Sequence, residues 1–147
     1  MRLWSFIVST LLLLAAAVSC GKNSPDGIIF GEDEITVGGR TITVELALTV
    51  PQKTQGLKYR RRMGEDRGML FVYDRPSRSP FWMKDTLIPL SIAFIDRSGR
   101  IIGITRMEPD DGKKIHPPPG PFLYALEMNQ GWFEKNNIGV GEKIIVK

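Results

Sequence analysis

The sequence predicts a mainly β domain: a compact antiparallel sandwich or barrel of about seven or eight short strands with one or two short helices. Gly and Pro number 15 and 10 among 147 residues, which is typical of a chain rich in turns. Short apolar segments are separated by turn residues at close spacing, as in small sandwiches and barrels. Hydrophobic residues make up 42% and charged residues 24%, which excludes a disordered or collagen-like chain.

The first strands form a predicted hairpin. Residues 35–37 and 41–48 are apolar or β-branched, and Gly38 and Gly39 between them allow the positive φ angles of a tight turn. Alternation along the second strand predicts one core face, made of Ile42, Val44, Leu46 and Leu48.

A short helix should follow the hairpin. Thr49 can cap its first turn, Pro51 suits that turn, and the helix should end near residue 57. Residues 107–121 contain five prolines and should form an extended loop, and residues 130–135 should form one helical turn. Further strands are predicted at residues 69–73, 81–83, 90–95, 100–105, 123–128 and 143–146.

The N-terminal residues differ from the rest of the chain. Residues 3–18 are nearly all apolar and follow Arg2, which is typical of a secretory leader and short for a membrane span. The leader ends in Ala17-Val18-Ser19-Cys20, which resembles a bacterial lipoprotein signal with an acylated Cys. A plain signal peptide with a chance Cys, or a signal anchor, is the alternative. We therefore expect a lipoprotein signal peptide at 1–20, a flexible tether at 21–27 and one domain at 28–147.

This organisation places the protein in the cell envelope. A lipid at Cys20 would make the membrane a partner. Gly21 is not the Asp that holds enteric lipoproteins in the inner membrane, which suggests the outer membrane. The net charge of +4 is mild, and an exported chain rarely meets nucleic acid, so no nucleic-acid partner is expected.

Three segments together resemble the DUF192 family (also called UPF0127), whose members are small, mostly β domains that are often secreted or lipid-anchored. The resemblance covers about residues 40–147. It implies the fold and the location, and it implies no reaction, because the family has no established one. The segments are Gly56-Leu57-Lys58-Tyr59-Arg60 with Gly68-Met69-Leu70-Phe71, then Phe81-Trp82-Met83-Lys84-Asp85-Thr86 with Ile88-Pro89-Leu90 and Phe94-Ile95-Asp96, and finally Leu126-Glu127 with Gly131, Gly139 and Gly141.

The chain departs from the family pattern at three positions. Lys58 stands where the family prefers Met, Asp85 where it usually has Asn, and Ser91 where it usually has Asp. The changes at Asp85 and Ser91 would affect any two-carboxylate or Asn–Asp site.

The first candidate site residues follow a predicted strand. Trp82 and Lys84 would share a face with Thr86, with Asp85 on the other face. A Trp beside a Lys can form a shallow recognition site of flat apolar contact and charged hydrogen bonds. Alternatively, Trp82 is a core residue and Lys84 and Asp85 form local ion pairs.

Glu127 and Arg60 complete the candidate set. Glu127 lies among apolar residues of a strand, so its carboxylate should point to solvent or be buried with a cation. Arg60 could clamp a carboxylate with two hydrogen bonds, although a surface Arg is the commoner outcome. We expect Glu127 to lie within reach of Lys84 or Arg60, either in a structural ion pair or around a ligand.

Other chemistries have weak support. The chain has one Cys and one His, His116. A single Cys excludes a Cys-based zinc site, and His116 has no second His or Cys with which to bind a metal. No metal or cofactor is therefore expected. Asp110 and Asp111 resemble a solvated turn and are too few for a calcium loop. No phosphate-binding, hydrolase or dinucleotide motif occurs.

Two functions therefore remain. One is a non-catalytic envelope module that binds a small molecule or a glycan through Arg60, Trp82, Lys84, Asp85 and Glu127. The other is a hydrolase or lyase that uses Asp85 or Glu127 with Lys84 as acid and base groups. A raised carboxyl pKa in a closed pocket would favour the enzyme, and an open aromatic groove the binding module. Whether the protein is an enzyme stays undecided at this point.

Overall fold

The computed structural model describes residues 27–146, which form nine strands and two short helices. The described residues do not include the predicted leader, the predicted lipidation site at Cys20 or most of the predicted tether. Among the residues described, no helix is long and apolar enough to cross a bilayer. In chain order the elements are β1 (Gly31–Val37), β2 (Arg40–Ala47), α1 (Val50–Gln55), β3 (Arg67–Ser77), β4 (Phe81–Trp82), β5 (Leu90–Ile95), β6 (Ile101–Met107), β7 (Ile115–His116), β8 (Phe122–Asn129), α2 (Trp132–Lys135) and β9 (Ile144–Val146).

Seven strands form one sheet in the order β6-β5-β8-β3-β2-β1-β9, and β4 pairs with β7 in a separate ribbon. The sheet is curled, and Arg100 and Lys143, next to its two end strands, form an antiparallel bridge. The predicted mainly β fold is confirmed. The predicted antiparallel arrangement fails for one pair of strands, since β2 and β3 are parallel. The chain between these two strands, including α1, crosses over one face of the sheet.

The first hairpin and the short helix that follows it form where the turn glycines and the capping residues predicted them. β1 and β2 form the hairpin, with φ of 53° at Gly38 and 80° at Gly39. Thr49 accepts a hydrogen bond from the backbone N–H of Gln52, whose own side chain accepts from the N–H of Thr49, so the helix has a full capping box. The expectation for Leu48 is wrong: β2 ends at Ala47, and Leu48 is half exposed.

The sheet carries an apolar cluster on each face. Strand alternation assigns neighbouring residues to opposite clusters: Leu90, Ile92 and Phe94 of β5 join the first, and Ala93 and Ile95 the second. The first cluster packs under α1 and the β4 ribbon, and the second packs under α2. Phe71 of β3 is buried in the first cluster and Leu126 of β8 in the second.

Several strands have bounds that differ from the predicted ones. β1 begins at Gly31, before the predicted start at residue 35. β3 continues to Ser77, past its predicted end at residue 73, through an irregularity between Val72 and Ser77. β4 ends at Trp82, and within the Pro-rich segment only β7 is regular. The chain after Trp82 therefore turns away from the strand direction.

Candidate functional site

A cavity of about 390 Å³ opens beside α1 on the face of the first cluster. One wall is α1 with the residues that follow it, and the opposite wall is the chain around β4. The floor is the sheet at β3 and β8. Its lining residues are Val50, Lys53, Thr54, Gln55, Gly56, Leu57, Lys58, Phe71, Tyr73, Ser79, Pro80, Phe81, Trp82, Lys84, Thr86 and Glu127.

Glu127 forms part of the floor, in the middle of the sheet. Its neighbours across the ladder are Met69 of β3 and Ile92 of β5, both fully buried. Glu127 itself is 5% exposed, and no residue among 27–146 forms a hydrogen bond or ion pair with its carboxyl. Burial raises the pKa of Glu127 to about 8, because an apolar setting disfavours the charged form. The side chain therefore has no partner among the described residues, and its raised pKa favours the neutral form at pH 7.

Aromatic side chains surround this acid. Phe71 and Phe81 meet edge to face, with ring centroids 5.1 Å apart. Tyr73 lines the same space, and burial, with a smaller effect of the Glu127 charge, raises the pKa of its phenol. Trp82 is 46% exposed and faces the opening. The cavity thus has apolar aromatic walls and one polar group at its inner end, as ligand sites commonly do.

Three lysines lie around the opening. Lys53 already has partners: its Nζ donates a hydrogen bond of 2.8 Å to the carbonyl of Leu48 and lies 4.5 Å from the centre of the Tyr73 ring. The ammonium groups of Lys58 and Lys84 form no hydrogen bond or ion pair with any described residue. Two ammonium groups are therefore available to an anion at the mouth of the cavity.

The expected sharing of one strand face by Trp82, Lys84 and Thr86 is wrong, because β4 ends at Trp82. The N–H of Thr86 donates to the carbonyl of Met83 at 3.0 Å, which closes a turn. Asp85 has φ of 60° in this turn, a conformation that Asn and Asp tolerate better than most residues. The Asn usual in the family at this position thus has a conformational explanation. Asp85 is absent from the cavity lining.

Arg60 lies outside the cavity because another carboxylate holds it. Its Nη1 and Nη2 donate to Oε1 and Oε2 of Glu45 at 2.5 and 2.6 Å. Both side chains are largely buried, so this two-pronged pair is a structural element of the fold. The expected contact of Glu127 with Lys84 or Arg60 is wrong, since neither cation approaches its carboxyl within 4.0 Å.

The sequence did not indicate two residues in or near the candidate site, Glu45 and Tyr73. Glu45 lies in the same cross-sheet row as Glu127, separated from it by Met69, and alternation had assigned it to the solvent face. Tyr73 was expected only as the last residue of a strand. Apolar residues on both sides of Glu45 are typical of a strand with one solvated face, so they gave no signal that both faces of β2 are covered.

The family departure at Ser91 concerns the other side of the sheet. Ser91 is fully buried, and its Oγ accepts a hydrogen bond of 3.1 Å from the N–H of Gly131, the residue that precedes α2. Asp85 belongs to a turn on the opposite face. The two departures therefore do not meet in one site.

His116 is buried beneath the β4–β7 ribbon, opposite Phe81. Burial, with a smaller effect of Lys114, lowers the pKa of its imidazole, and Nε2 has no hydrogen-bond partner. Within residues 27–146, no three His, Cys, Asp or Glu side chains group in a way that could hold a metal ion.

Comparison with known proteins identifies the family. The family model DUF192, described as an uncharacterized ACR, matches residues 33–146. The chain belongs to the DUF192 family. The residues quoted for this resemblance lie inside the match, and they include Trp82, Lys84 and Glu127 of the cavity. No curated protein matches the chain.

Two solved structures share the fold of this DUF192 domain. One is a candidate transcription regulator from Sinorhizobium meliloti 1021, which is 33% identical with a TM-score of 0.76, over 81% of this chain and 96% of that one. The other is a protein of unknown function from Novosphingobium aromaticivorans DSM 12444, which is 29% identical with a TM-score of 0.72, over 87% and 94% of the two chains.

Proposed function

We propose that this DUF192 domain is a non-catalytic envelope module that binds one small amphipathic acid in the cavity beside α1. The observation that carries the proposal is the unpaired carboxyl of Glu127 at the inner end of an aromatic cavity with free ammonium groups at its mouth. A buried polar group without a partner is costly. A ligand atom that accepts a hydrogen bond from Glu127 would remove that cost.

The three parts of the cavity specify the ligand chemistry. Phe71, Phe81 and Trp82 suit a flat apolar body, and Lys58 and Lys84 suit a carboxylate, sulfonate or phosphate. A volume of about 390 Å³ accommodates a single small molecule. These features favour a small acid over a polymeric glycan, which the sequence alone had left open.

The test uses anilinonaphthalene sulfonate, a fluorescent aromatic anion, as the probe. We expect saturable binding with one site per chain. Trp82→Ala should weaken binding about tenfold, the effect of losing one well-packed aromatic contact. Val140→Ser is the control, because Val140 is exposed and absent from the cavity lining. Equal binding by wild type and Trp82→Ala, or several weak sites, would contradict the proposal.

A second candidate function rests on the pKa of Glu127, which burial raises to about 8. Such a carboxyl can donate or accept a proton near neutral pH. Lys84, the expected partner in acid and base chemistry, lines the cavity with Glu127, and Asp85, the other candidate carboxylate, does not, so Glu127 would supply the carboxyl group of such an enzyme. Incubating the protein with an envelope small-molecule extract separates the two functions. A binder retains a compound of unchanged mass, whereas an enzyme converts one and the Glu127→Gln variant does not.

For the location, we propose that acylation of Cys20 anchors the domain to the envelope, in the outer membrane. The support is the lipoprotein-like sequence that ends in the only Cys of the chain. Cys20→Ala should leave a precursor that is uncleaved or mislocalised. Detergent-phase partitioning and the mass of the product check this, and identical behaviour of wild type and variant would contradict it.

The relative described as a candidate transcription regulator does not alter this proposal. The two helices of residues 27–146 have six and four residues, whereas the helical motifs that read DNA place a longer helix in the major groove. Arg60, the first residue of the basic cluster at 60–62, is held by Glu45.

A further inference from the structure

Large apolar side chains are exposed around the mouth of the cavity. Val50 and Trp82 line the cavity and are 76% and 46% exposed, and Leu87, which follows the lining residue Thr86, is 51% exposed. Ile115 is 59% exposed and lies directly opposite Trp82 in the β4–β7 ribbon. The ribbon thus buries Phe81 and His116 and presents Trp82 and Ile115 outward. We call these four exposed residues, Val50, Trp82, Leu87 and Ile115, the apolar rim.

Positive charge accompanies the apolar rim. Lys58 and Lys84 flank the opening, and Lys114 precedes Ile115; none of the three has an ion-pair partner among the described residues. Of the acidic residues nearby, Asp111 is paired with Lys113, Asp110 accepts a hydrogen bond from the N–H of Gly112 with one of its oxygens, and Asp85 lies in the turn beside Lys84. The rim therefore combines apolar side chains with unpaired lysines, and such a surface matches an anionic, partly apolar partner.

The chain enters the domain on the same side. The side-chain amide of Gln52, in α1, donates a hydrogen bond of 2.8 Å to the carbonyl of Ile29. The N-terminal end of the domain is thereby fixed to the helix that forms one wall of the cavity. From Cys20 to Ile29 the chain has nine residues, which span at most about 30 Å when fully extended.

From these three observations we propose that the apolar rim is a docking face for the anionic lipid surface to which the chain is tethered. This rests on the lipid anchor proposed above, since a tether of that length holds the α1 side of the domain close to the bilayer. Trp82 lies at the level of the headgroups, where Trp side chains are favoured. Lys58, Lys84 and Lys114 contact the lipid phosphates. The cavity then opens toward the membrane.

The test measures quenching of Trp82 by brominated lipid, with the processed lipoprotein that begins at acylated Cys20 in vesicles of phosphatidylglycerol and phosphatidylcholine. Removal of the leader also removes Trp4, so that only Trp82 and the buried Trp132 emit. Bromine placed near the headgroup end of the acyl chains should lower the emission by about a third or more, as expected for a Trp at the interface. Trp82→Phe in the same lipoprotein should remove the quenching.

Matched variants separate docking from anchoring and from ligand binding. Lys114→Gln with Ile115→Ser should reduce the quenching at least twofold and leave binding of anilinonaphthalene sulfonate unchanged, because neither residue lines the cavity. Lys143→Gln with Val140→Ser should change neither measurement. Unquenched Trp82 in chains that still float with the vesicles would overturn the docking proposal and leave the anchor and the ligand site standing. If Trp82 becomes buried without lipid, and to an extent that rises with protein concentration, the docking proposal is wrong and a second copy of the chain covers the apolar rim.

Discussion

Glu127 shows how one residue combines a structural cost with a possible function. It lies in the most central part of the sheet, between Met69 and Ile92, with no partner for its carboxyl among the described residues. A fold selected only for stability would place an apolar residue there. The acid therefore makes the inner end of the cavity the place where the proposed ligand would form a hydrogen bond.

Replacing Glu127 by Gln should change the pH dependence of stability. The ordinary pKa of this carboxyl is 4.5, and burial raises it to about 8 in the folded state. Between these values the unfolded state releases the proton first, so the wild type loses roughly 3–5 kcal/mol of unfolding free energy as the pH rises. Glu127→Gln removes this dependence. It should match the wild type near pH 4 and exceed it in stability near pH 9.

Urea denaturation across this pH range measures the effect. Glu142→Gln, at an exposed carboxyl, is the control and should follow the wild type throughout. Parallel curves for wild type and Glu127→Gln would show that the carboxyl is not buried in its neutral form.

Removing Arg60 should be strongly destabilising, because it leaves the buried carboxylate of Glu45 unpaired. Arg60→Ala should cost ~3–5 kcal/mol. Arg106→Ala is the matched control. Arg106 also pairs with a glutamate, Glu134, but both side chains of this pair are about half exposed. The loss of unfolding free energy should therefore stay below about 1 kcal/mol. Similar losses for the two variants, measured by urea denaturation, would contradict the structural role of Arg60.

At the residue scale the sequence located part of the candidate site. Trp82, Lys84 and Glu127 line one cavity although they are distant in the chain. Arg60 was misplaced because its partner, Glu45, lies on a strand whose two faces are both covered, and alternation alone cannot show that. Asp85 was misplaced because the strand was expected to continue past Trp82, and the turn that follows, with its positive φ at Asp85, has no unique sequence signal.

At the element scale, the central pair β3–β8 depends on the absence of a side chain at Gly68. A Cβ there would lie 2.4 Å from Sδ of Met128 and 2.5 Å from the carbonyl oxygen of Glu127. Gly68→Ala should therefore cost ~1–3 kcal/mol or more through overpacking and displacement of β8. Because the displaced carbonyl belongs to Glu127, the variant should also weaken binding of anilinonaphthalene sulfonate.

Gly31→Ala is the control for this substitution. Gly31 also lies in a strand, and a Cβ there would meet nothing within 4 Å. Its stability should change by no more than about 0.5 kcal/mol. Thermal melts of both variants decide the matter, and an unchanged melt for Gly68→Ala would show that the two strands are less closely packed than described.

Elements with local signals were predictable, and pairings between distant strands were not. The glycines of the first hairpin and the capping residues of α1 act within a few positions, so the sequence alone placed them. The parallel pairing of β2 with β3 depends on how the crossover packs on the sheet. No residue in either strand distinguishes parallel from antiparallel pairing, and this crossover is what creates the wall of the cavity.

At the scale of the whole molecule, the two apolar clusters should be separable by mutation. Phe71→Ala in the first cluster and Leu126→Ala in the second should each destabilise the fold, by ~3–5 and ~2–5 kcal/mol. Only Phe71 lines the cavity, so only its variant should also change the affinity for anilinonaphthalene sulfonate. Urea denaturation and probe titration test both statements. Equal effects on affinity would show that the cavity depends on global stability alone.

The strand order also governs when the chain can fold. β8 lies between β3 and β5, both of which precede it in the sequence. Until residue 129 has been synthesised, β3 and β5 each have an unpaired edge and the sheet is divided into two parts. Pairings over such sequence separations form slowly, and open edges attract other strands. We therefore expect a nascent chain to complete this sheet only after β8 has been synthesised, a delay that would suit the export proposed above, because a translocation channel takes unfolded chains.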